Sequence, residues 1–214
     1  MRQSLKVWAE LGFSFDVVST GMILSAEQAA LVSDFCEQSA KKDALVFVDP
    51  IMGDEGKLYN GVGEETIAHM RKMVAVADCI VPNYTEAAYL ADMPYHEDMT
   101  EEEARALTIR LHEMGAKSVV VTSAKVDGEN CVVGYDGTEG EFFRIPFDLI
   151  PVRFVGTGDI FAAVMLGRLV DGVPLQESTH RAMDAVRTMI DRNRDKEDKY
   201  LGIPIETCLE VLDE

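Results

Sequence analysis

The 214-residue chain is poor in positive charge and has no long uninterrupted apolar run. Its 20 Lys and Arg stand against 38 Asp and Glu, which gives a formal net charge of -18 at pH 7. Nucleic-acid backbones bind clustered Lys and Arg, so no nucleic-acid partner is expected. No stretch approaches the ~20 apolar residues of a membrane-spanning helix, and residues 1–16 lack the apolar centre of a signal peptide. We therefore expect a cytoplasmic protein with no membrane partner.

Paired cysteines are also missing. Cys36, Cys79, Cys131 and Cys208 are far apart in sequence and form no C-x-x-C motif, and the four histidines are equally scattered. A disulfide framework or a zinc site would need closer, regular spacing. We expect buried thiols in a reducing compartment.

Short β-branched runs alternate with helical patterns along the chain. The first four predicted strands alternate with helices, which favours a parallel sheet with helical crossovers. The last two flank Asp136–Gly137, a hairpin signal. A chain of 214 residues that is 47% hydrophobic can bury one sizeable core, so we predict a single domain over 1–214. The predicted strands are Phe15–Ser19, Ala44–Asp49, Cys79–Val81, Ser118–Thr122, Asn130–Tyr135 and Glu141–Pro146.

Helix starts are marked by polar side chains and prolines. Ser25–Gln28 and Thr100–Glu103 fit the capping box, in which a hydroxyl and a Glu or Gln three residues later satisfy each other's backbone N–H groups. Pro174 is predicted to lie in the first turn of a long helix. Pro204 is predicted to open a short helix that ends near Leu212.

The strongest local signal is a glycine-rich turn that leads into an apolar helix. Gly156, Thr157 and Gly158 precede Asp159, and the apolar segment Ile160–Leu166 follows without a break. So apolar a helix is expected to be buried. The N–H groups at its start attract an anion such as phosphate, and an adjacent carboxylate could accept a proton from an attacking hydroxyl. Alternatively, Asp159 only complements the helix dipole and the glycines only form a turn.

Three further motifs follow predicted strands. An acidic, Gly-rich loop runs from Asp49 through Asp54 to Tyr59, and its acids suit a cation or a magnesium nucleotide, or an ordinary polar turn. Asn83 and Glu86 are spaced to share a Mg²⁺ ion, and equally to cap a helix. Thr122–Ser123 could donate to phosphate or cap a turn.

The predicted strand ends could gather all four motifs in one crevice, where α/β folds bind ligands. The chain has no G-x-x-x-x-G-K-[ST] P-loop. It also has no G-x-G-x-x-G after a first strand, which disfavours a dinucleotide site.

Taken in order, these motifs resemble pyridoxal kinase of the ribokinase-like superfamily. The similarity covers roughly residues 16–170 and is carried by Asp49–Tyr59, Pro82–Ala87, Val119–Ser123 and Phe154–Ala163. It implies an α/β three-layer sandwich, a mostly parallel sheet with helices on both faces. Family members begin with a strand, loop and helix not found in this chain, so we expect a domain truncated at its N-terminus and lacking the first strand or strands.

The resemblance implies an enzyme that transfers phosphate from ATP to the 5′-hydroxymethyl group of a vitamin B6 vitamer, as a homodimer. By similarity, Asp159 is the catalytic base and the N–H groups of Gly156, Thr157 and Gly158 stabilise the transferring group. The same similarity places Asp54, Tyr59, Thr122 and Ser123 along the ATP phosphates, Asn83 and Glu86 on Mg²⁺, and Asp49 near a monovalent cation such as K⁺.

Two other functions stay open at this point. One is a related kinase for hydroxymethylpyrimidine or another small alcohol, although such kinases tend to carry Cys at the position of Asp159. The other is a chain that binds nucleotide without catalysis.

Overall fold

The computed structural model describes residues 1–41 and 43–212. Contacts between Cα atoms divide the chain into two compact units, Met1–Pro146 and Phe147–Glu214. Among the described residues, the first unit contains the sheets and five helices, and the second contains two long helices and two short 3₁₀ turns.

A six-stranded sheet forms the centre of the first unit, with strand order β1-β2-β5-β6-β7-β8. The first four of these strands pair in parallel, as predicted, and β6-β7 and β7-β8 pair antiparallel. A separate two-stranded antiparallel ribbon is formed by β3 and β4. The strands are β1 (Val17–Thr20), β2 (Leu45–Val48), β3 (Gly53–Asp54), β4 (Lys57–Leu58), β5 (Cys79–Ile80), β6 (Ser118–Val126), β7 (Glu129–Asp136) and β8 (Glu141–Pro146).

Helices α2 to α5 of the first unit contribute apolar side chains to the core that covers this sheet. The core contains Val46, Val48, Ile80, Val119 and Val121 from the parallel strands, all fully buried. Phe47 and Val120, which alternate with these residues, are also buried. Such continuous apolar runs are typical of parallel strands covered on both faces. Helices α2 to α5 each pack against the next in sequence. The helices are α1 (Arg2–Glu10), α2 (Ala26–Ala40), α3 (Glu64–Val74), α4 (Tyr84–Ala91) and α5 (Glu101–Glu113).

The predicted caps are present at α2 and α5. Thr100 accepts the N–H of Glu103, and the Glu103 carboxylate accepts the N–H of Thr100, so the capping box is complete. At α2, Ser25 accepts the N–H of Gln28, but the Gln28 side chain accepts the N–H of Leu24 rather than that of Ser25. Both helices therefore begin where the sequence indicates.

Strand β6 was predicted to end at Thr122, but it continues to Val126. The pairing with β7 shifts register between Val121 and Ala124, and the strand bends at this irregularity. A tight turn at Asp127–Gly128, both with positive φ, then leads into β7. This second hairpin was missed, although Asp-Gly between two strands is a hairpin signal. The hairpin predicted at Asp136–Gly137 is confirmed between β7 and β8.

The second unit is built on α6 (Thr157–Val170) and α7 (Leu175–Asn193), which pack against each other. Pro174 caps α7 instead of lying in its first turn, since its carbonyl accepts the N–H of Ser178. The short helix expected after Pro204 is two 3₁₀ turns, Ile205–Thr207 and Leu209–Leu212. The core of the second unit consists of Phe154, Ile160, Ala185, Met189, Ile203, Cys208 and Val211.

The four cysteines are buried free thiols, as predicted. Burial raises the pKa of the Cys36 thiol to about 11. Across residues 1–41 and 43–212, no helix combines the length and the apolar composition that crossing a bilayer requires.

Candidate active site

Three of the four predicted motifs meet at the carboxyl end of the parallel strands. Asp49 directly follows β2, and its N–H donates to the carbonyl of Thr20, the last residue of β1, at 3.0 Å. The N–H of Thr122 donates to Pro82 O at 2.9 Å, and Thr122 forms a parallel bridge with Asn83. The first contact joins β2 to β1 and the second joins β6 to the segment after β5, so the strand order creates the edge expected from the sequence.

Asn83 and Glu86 form a capping box at the start of α4. The Asn83 side-chain oxygen accepts the N–H of Glu86 at 3.0 Å, and Glu86 Oε2 accepts the N–H of Asn83 at 2.9 Å. The capping alternative left open by the sequence is therefore confirmed. The remaining amide N–H of Asn83 donates to Gly53 O at 2.7 Å.

Glu86 also joins α4 to the loop after β2. Its Oε1 accepts the N–H of Met52 at 2.9 Å and that of Gly53 at 3.4 Å. The residue is only 3% exposed, so a buried carboxylate bridges two distant backbone segments. A buried charged group of this kind is tolerated when it is hydrogen-bonded.

Burial raises the pKa of Glu86 to about 7. The backbone N–H groups of Met52, Asn83 and Gly53 act in the opposite direction, because they stabilise the carboxylate. The negative charge of Asp49 contributes to the upward shift. The charge of one predicted cation ligand thus affects the ionisation of another, and a cation nearby would favour the ionised form of Glu86.

The β3–β4 ribbon carries Asp54 and lies against α4. Its turn is formed by Glu55 and Gly56, both with positive φ. Gly53 is required by close packing, since a Cβ there would lie 2.3 Å from Lys57 O. After the ribbon, the N–H of Tyr59 donates to Met52 O at 2.9 Å, and Tyr59 is exposed.

The described residues contain no group of three or more His, Cys, Asp or Glu that could hold a metal ion. The Asn83 oxygen is occupied by the cap, and Glu86 uses both oxygens for backbone N–H groups. A carboxylate can accept about four hydrogen bonds, and Glu86 accepts three from the backbone. The pair therefore suits a hydrated Mg²⁺ ion held through water, rather than direct ligation.

Thr122 and Ser123 lie at the irregularity of β6 instead of at a strand end. Ser123 is exposed and has φ 55, a left-handed conformation that is uncommon for a residue other than glycine. Thr122 is partly buried beside Asn83. The break in pairing turns the hydroxyl-bearing pair out of the regular ladder at the site edge.

The remaining four candidates lie in the second unit, at the start of α6. Gly156 has φ 84 and precedes the helix, and its carbonyl accepts the N–H of Ile160 at 3.0 Å. No described side chain caps this end. Asp159 lies in the first turn and is exposed, with its Oδ2 3.7 Å from where a Cβ on Gly156 would be. The helix start is therefore open to an anion, with a carboxylate beside it.

Helix α6 is less buried than its composition predicted. Only Ile160, Phe161 and Met165 of its residues are buried. The prediction of a buried helix is wrong for most of its residues. One stripe of apolar side chains is enough to pack α6 against α7, which contributes Ala185 and Met189 to the same core.

Sequence reasoning missed three polar side chains of the first unit. Thr20 ends β1, and its buried hydroxyl has no hydrogen-bond partner within the described part of the chain. Thr85 and Tyr89 of α4 both bond the turn at Gly56. A hydroxyl inside a helix has no distinctive sequence signal, so only the folded contacts show these roles.

The phosphomethylpyrimidine kinase family matches residues 3–202. The chain belongs to this family. Its similarity to pyridoxal kinases is also confirmed: it is 32% identical to that of Arabidopsis thaliana over 81% of this chain and 33% identical to the human one over 71%. The chain spans about half the length of these curated relatives, 57% and 53% respectively.

Solved structures show the ribokinase-like α/β fold of the family. A Bacteroides thetaiotaomicron protein assigned as a phosphomethylpyrimidine kinase is 33% identical, with a TM-score of 0.95, over all of this chain and 74% of its own. A second crystal form of that protein was solved with pyridoxal, and its TM-score is 0.93. Pyridoxal kinase from Lactobacillus plantarum is 27% identical with a TM-score of 0.84, over 99% of this chain and 76% of its own. The fold class predicted from the motifs is confirmed.

Proposed function

We propose that the protein transfers the γ-phosphate of ATP to the 5′-hydroxymethyl group of pyridoxal, pyridoxine or pyridoxamine. The observation that carries this proposal is the start of α6, where Asp159 adjoins a glycine turn and no side chain among the described residues caps the helix N–H groups. The similarity to pyridoxal kinases supports the choice of substrate. The family match spans both compact units, which supports the prediction of one kinase domain.

In this proposal, Asp159 accepts the proton of the substrate hydroxyl as its oxygen attacks the γ-phosphorus. The bond from that phosphorus to the β,γ-bridging oxygen breaks, and ADP leaves with the electron pair. The N–H groups of Gly156, Thr157 and Gly158 donate to the phosphoryl oxygens, whose charge they stabilise without reorganisation. A positioned base of this type contributes roughly 10²–10⁴-fold in rate.

The nucleotide role of the first unit is proposed residue by residue. Asp54, Tyr59, Thr122 and Ser123 are assigned to the ATP phosphates. Asn83 and Glu86 would hold Mg²⁺ through water, and Asp49 would adjoin a monovalent cation such as K⁺. Mg²⁺, when bound, neutralises phosphate charge. A cation bound here would offset the negative charge of Asp49, which is one of the smaller contributions to the raised pKa of Glu86.

A hydroxymethylpyrimidine substrate is the second candidate. The family match and the Bacteroides relative favour it by name, but the same relative was crystallised with pyridoxal. A panel of pyridoxal, pyridoxine, pyridoxamine and hydroxymethylpyrimidine at equal concentration separates the two by their kcat/KM values.

Cytoplasmic location and a homodimer belong to the same proposal. The four buried, unpaired thiols support a reducing compartment. The homodimer rests on the family resemblance, and sedimentation of the purified chain tests it.

The decisive experiment measures ADP release with pyridoxal for the wild type and Asp159→Asn. We expect kcat to fall roughly 10²–10⁴-fold in the variant, while ADP affinity changes less than twofold. Full turnover by Asp159→Asn would refute the assigned role, and a wild type that releases no ADP with any substrate in the panel would refute the kinase proposal.

A further inference from the structure

Three side chains surround the turn of the β3–β4 ribbon. The N–H of Gly56 donates to Thr85 Oγ1 at 2.8 Å, and Tyr89 OH donates to Gly56 O at 3.4 Å. The ring of Tyr95 packs against the same glycine, so that a Cβ on Gly56 would lie 3.1 Å from it. Both polar groups of one residue are thus held by α4, and its Cα is covered by a ring.

The groups that hold the turn are themselves well anchored. Thr85 is 3% exposed and lies in the first turn of α4. Tyr95 stacks on Tyr84 with ring centroids 4.8 Å apart, and Tyr84 OH accepts the N–H of His96 at 3.0 Å. A short two-stranded ribbon is marginal by itself, so its position depends on these contacts.

The turn contacts complement those at the base of the ribbon. Asn83 and Glu86 bond Gly53, whereas Thr85 and Tyr89 bond Gly56. Asp54 lies between the two fixed points. The turn contacts therefore give the segment that carries Asp54 a second point of attachment to α4.

We infer that Thr85 and Tyr89 are positioning residues that hold the ribbon, and thereby Asp54, in place for the phosphates of a nucleotide. The inference rests on the proposed function, because it assigns a nucleotide to the ribbon. Neither hydroxyl contacts the reacting atoms in this assignment. Their loss weakens nucleotide binding and leaves the chemical step intact.

Thr85→Val and Tyr89→Phe remove each hydroxyl with little change in shape. One net hydrogen bond corresponds to roughly 3–10-fold in an equilibrium, so we expect the KM for ATP to rise roughly 3–10-fold in each variant, with kcat within twofold of the wild type. Thr85→Ser restores the acceptor and should restore the KM. Hydrogen exchange at the Gly56 amide should accelerate in Thr85→Val and return to the wild-type rate in Thr85→Ser.

Matched controls are Thr108→Val and Tyr135→Phe. The Thr108 hydroxyl is fully buried and donates only to its own helix, at Arg105 O. Thr108 lies in α5 and Tyr135 in β7, so neither control residue belongs to the ribbon or to α4. Both variants should keep the wild-type KM even if they lower the unfolding temperature.

Titration with a fluorescent ADP analogue separates this inference from the kinase proposal. Unchanged analogue affinity and KM in both Thr85→Val and Tyr89→Phe would overturn the inference while leaving an active kinase. A wild type that binds the analogue but phosphorylates no alcohol would sink the kinase proposal, yet weaker binding by the two variants would still support the inference. A wild type that does not bind the analogue at all would overturn both.

Discussion

Glu86 Oε1 accepts the backbone N–H of Met52 at 2.9 Å, although 34 residues separate them in sequence. The same carboxylate caps its own helix through Asn83. One buried side chain therefore sets both the start of α4 and the path of the acidic loop. Its ionisation and its partners make the site open to specific tests.

The pH dependence of stability should carry the signature of Glu86. Its folded-state pKa is raised to about 7 from 4.5, so the folded protein holds this proton more tightly than the unfolded chain. The stabilisation is fully present below pH 4.5, declines as the pH rises, and is lost above about pH 7. At 1.36 kcal/mol per pKa unit, this shift corresponds to a stability change of about 3 kcal/mol.

Denaturant unfolding at several pH values between 5 and 8 measures how the free energy of unfolding depends on the ionisation of Glu86, with Glu86→Gln as the reference. The variant is expected to be less stable at every pH, since its amide NH₂ cannot accept the N–H of Asn83, but to lack the decline across this window. An identical pH slope in both proteins would show that Glu86 does not titrate there.

Gly158 should matter for catalysis and not for folding. A Cβ on Gly158 would meet nothing within 4 Å, and the same holds for Gly167 farther along α6. Alanine is favoured over glycine in helices by roughly 0.5–1 kcal/mol, so neither variant should lower the unfolding temperature.

We expect Gly158→Ala to reduce kcat/KM roughly 10–100-fold, because its methyl group displaces the transferring phosphate, and Gly167→Ala to retain wild-type activity. ADP-release kinetics give both values. Equal activity in the two variants would contradict a phosphate position at this helix start.

Asn83 has two separable roles. Its oxygen caps α4, and its amide N–H bonds Gly53 O. Asn83→Ala should cost about 1–2 kcal/mol of stability through loss of the cap. Asn83→Ser keeps a good capping oxygen and should remain near wild-type stability, yet bind ADP more weakly because the ribbon has lost a bond. Equal destabilisation by Ser and Ala in chemical unfolding would show that capping is not the dominant contribution.

Gly53→Ala should destabilise the ribbon. Its Cβ would lie 2.3 Å from Lys57 O and 2.9 Å from the Leu58 Cα, and backbone atoms cannot rotate away. Forced overpacking costs roughly 1–3 kcal/mol, or roughly 3–8 °C in the unfolding temperature. Gly21→Ala is the matched control, since its nearest contact would be a flexible Ile51 methyl at 3.4 Å. Equal unfolding temperatures for Gly53→Ala and Gly21→Ala in a thermal scan would contradict the close approach of Gly53 to Lys57 O.

Local patterns were sufficient for much of this fold. The starts of α2 and α5, the β-branched strands and the Asp136–Gly137 turn depend on residues within a few positions of one another. The two helix starts and the turn were found where predicted, and each predicted strand overlaps an observed one. The Gly-Thr-Gly-Asp segment likewise predicted the start of α6, which begins at Thr157. These features need no knowledge of distant partners, because propensity and local hydrogen bonds determine them.

Only the tertiary structure decided what the candidate site residues contact. The hydrogen bonds from the Met52 N–H to Glu86 and from the Gly56 N–H to Thr85 join segments about 30 residues apart. They exist because the parallel order β1-β2-β5-β6 brings the ends of separate strands to one edge. Strand order is a property of the whole chain. The sequence therefore left open whether Asn83 and Glu86 cap a helix or bind a metal ion, and the structure narrowed this choice by showing which backbone groups they bond.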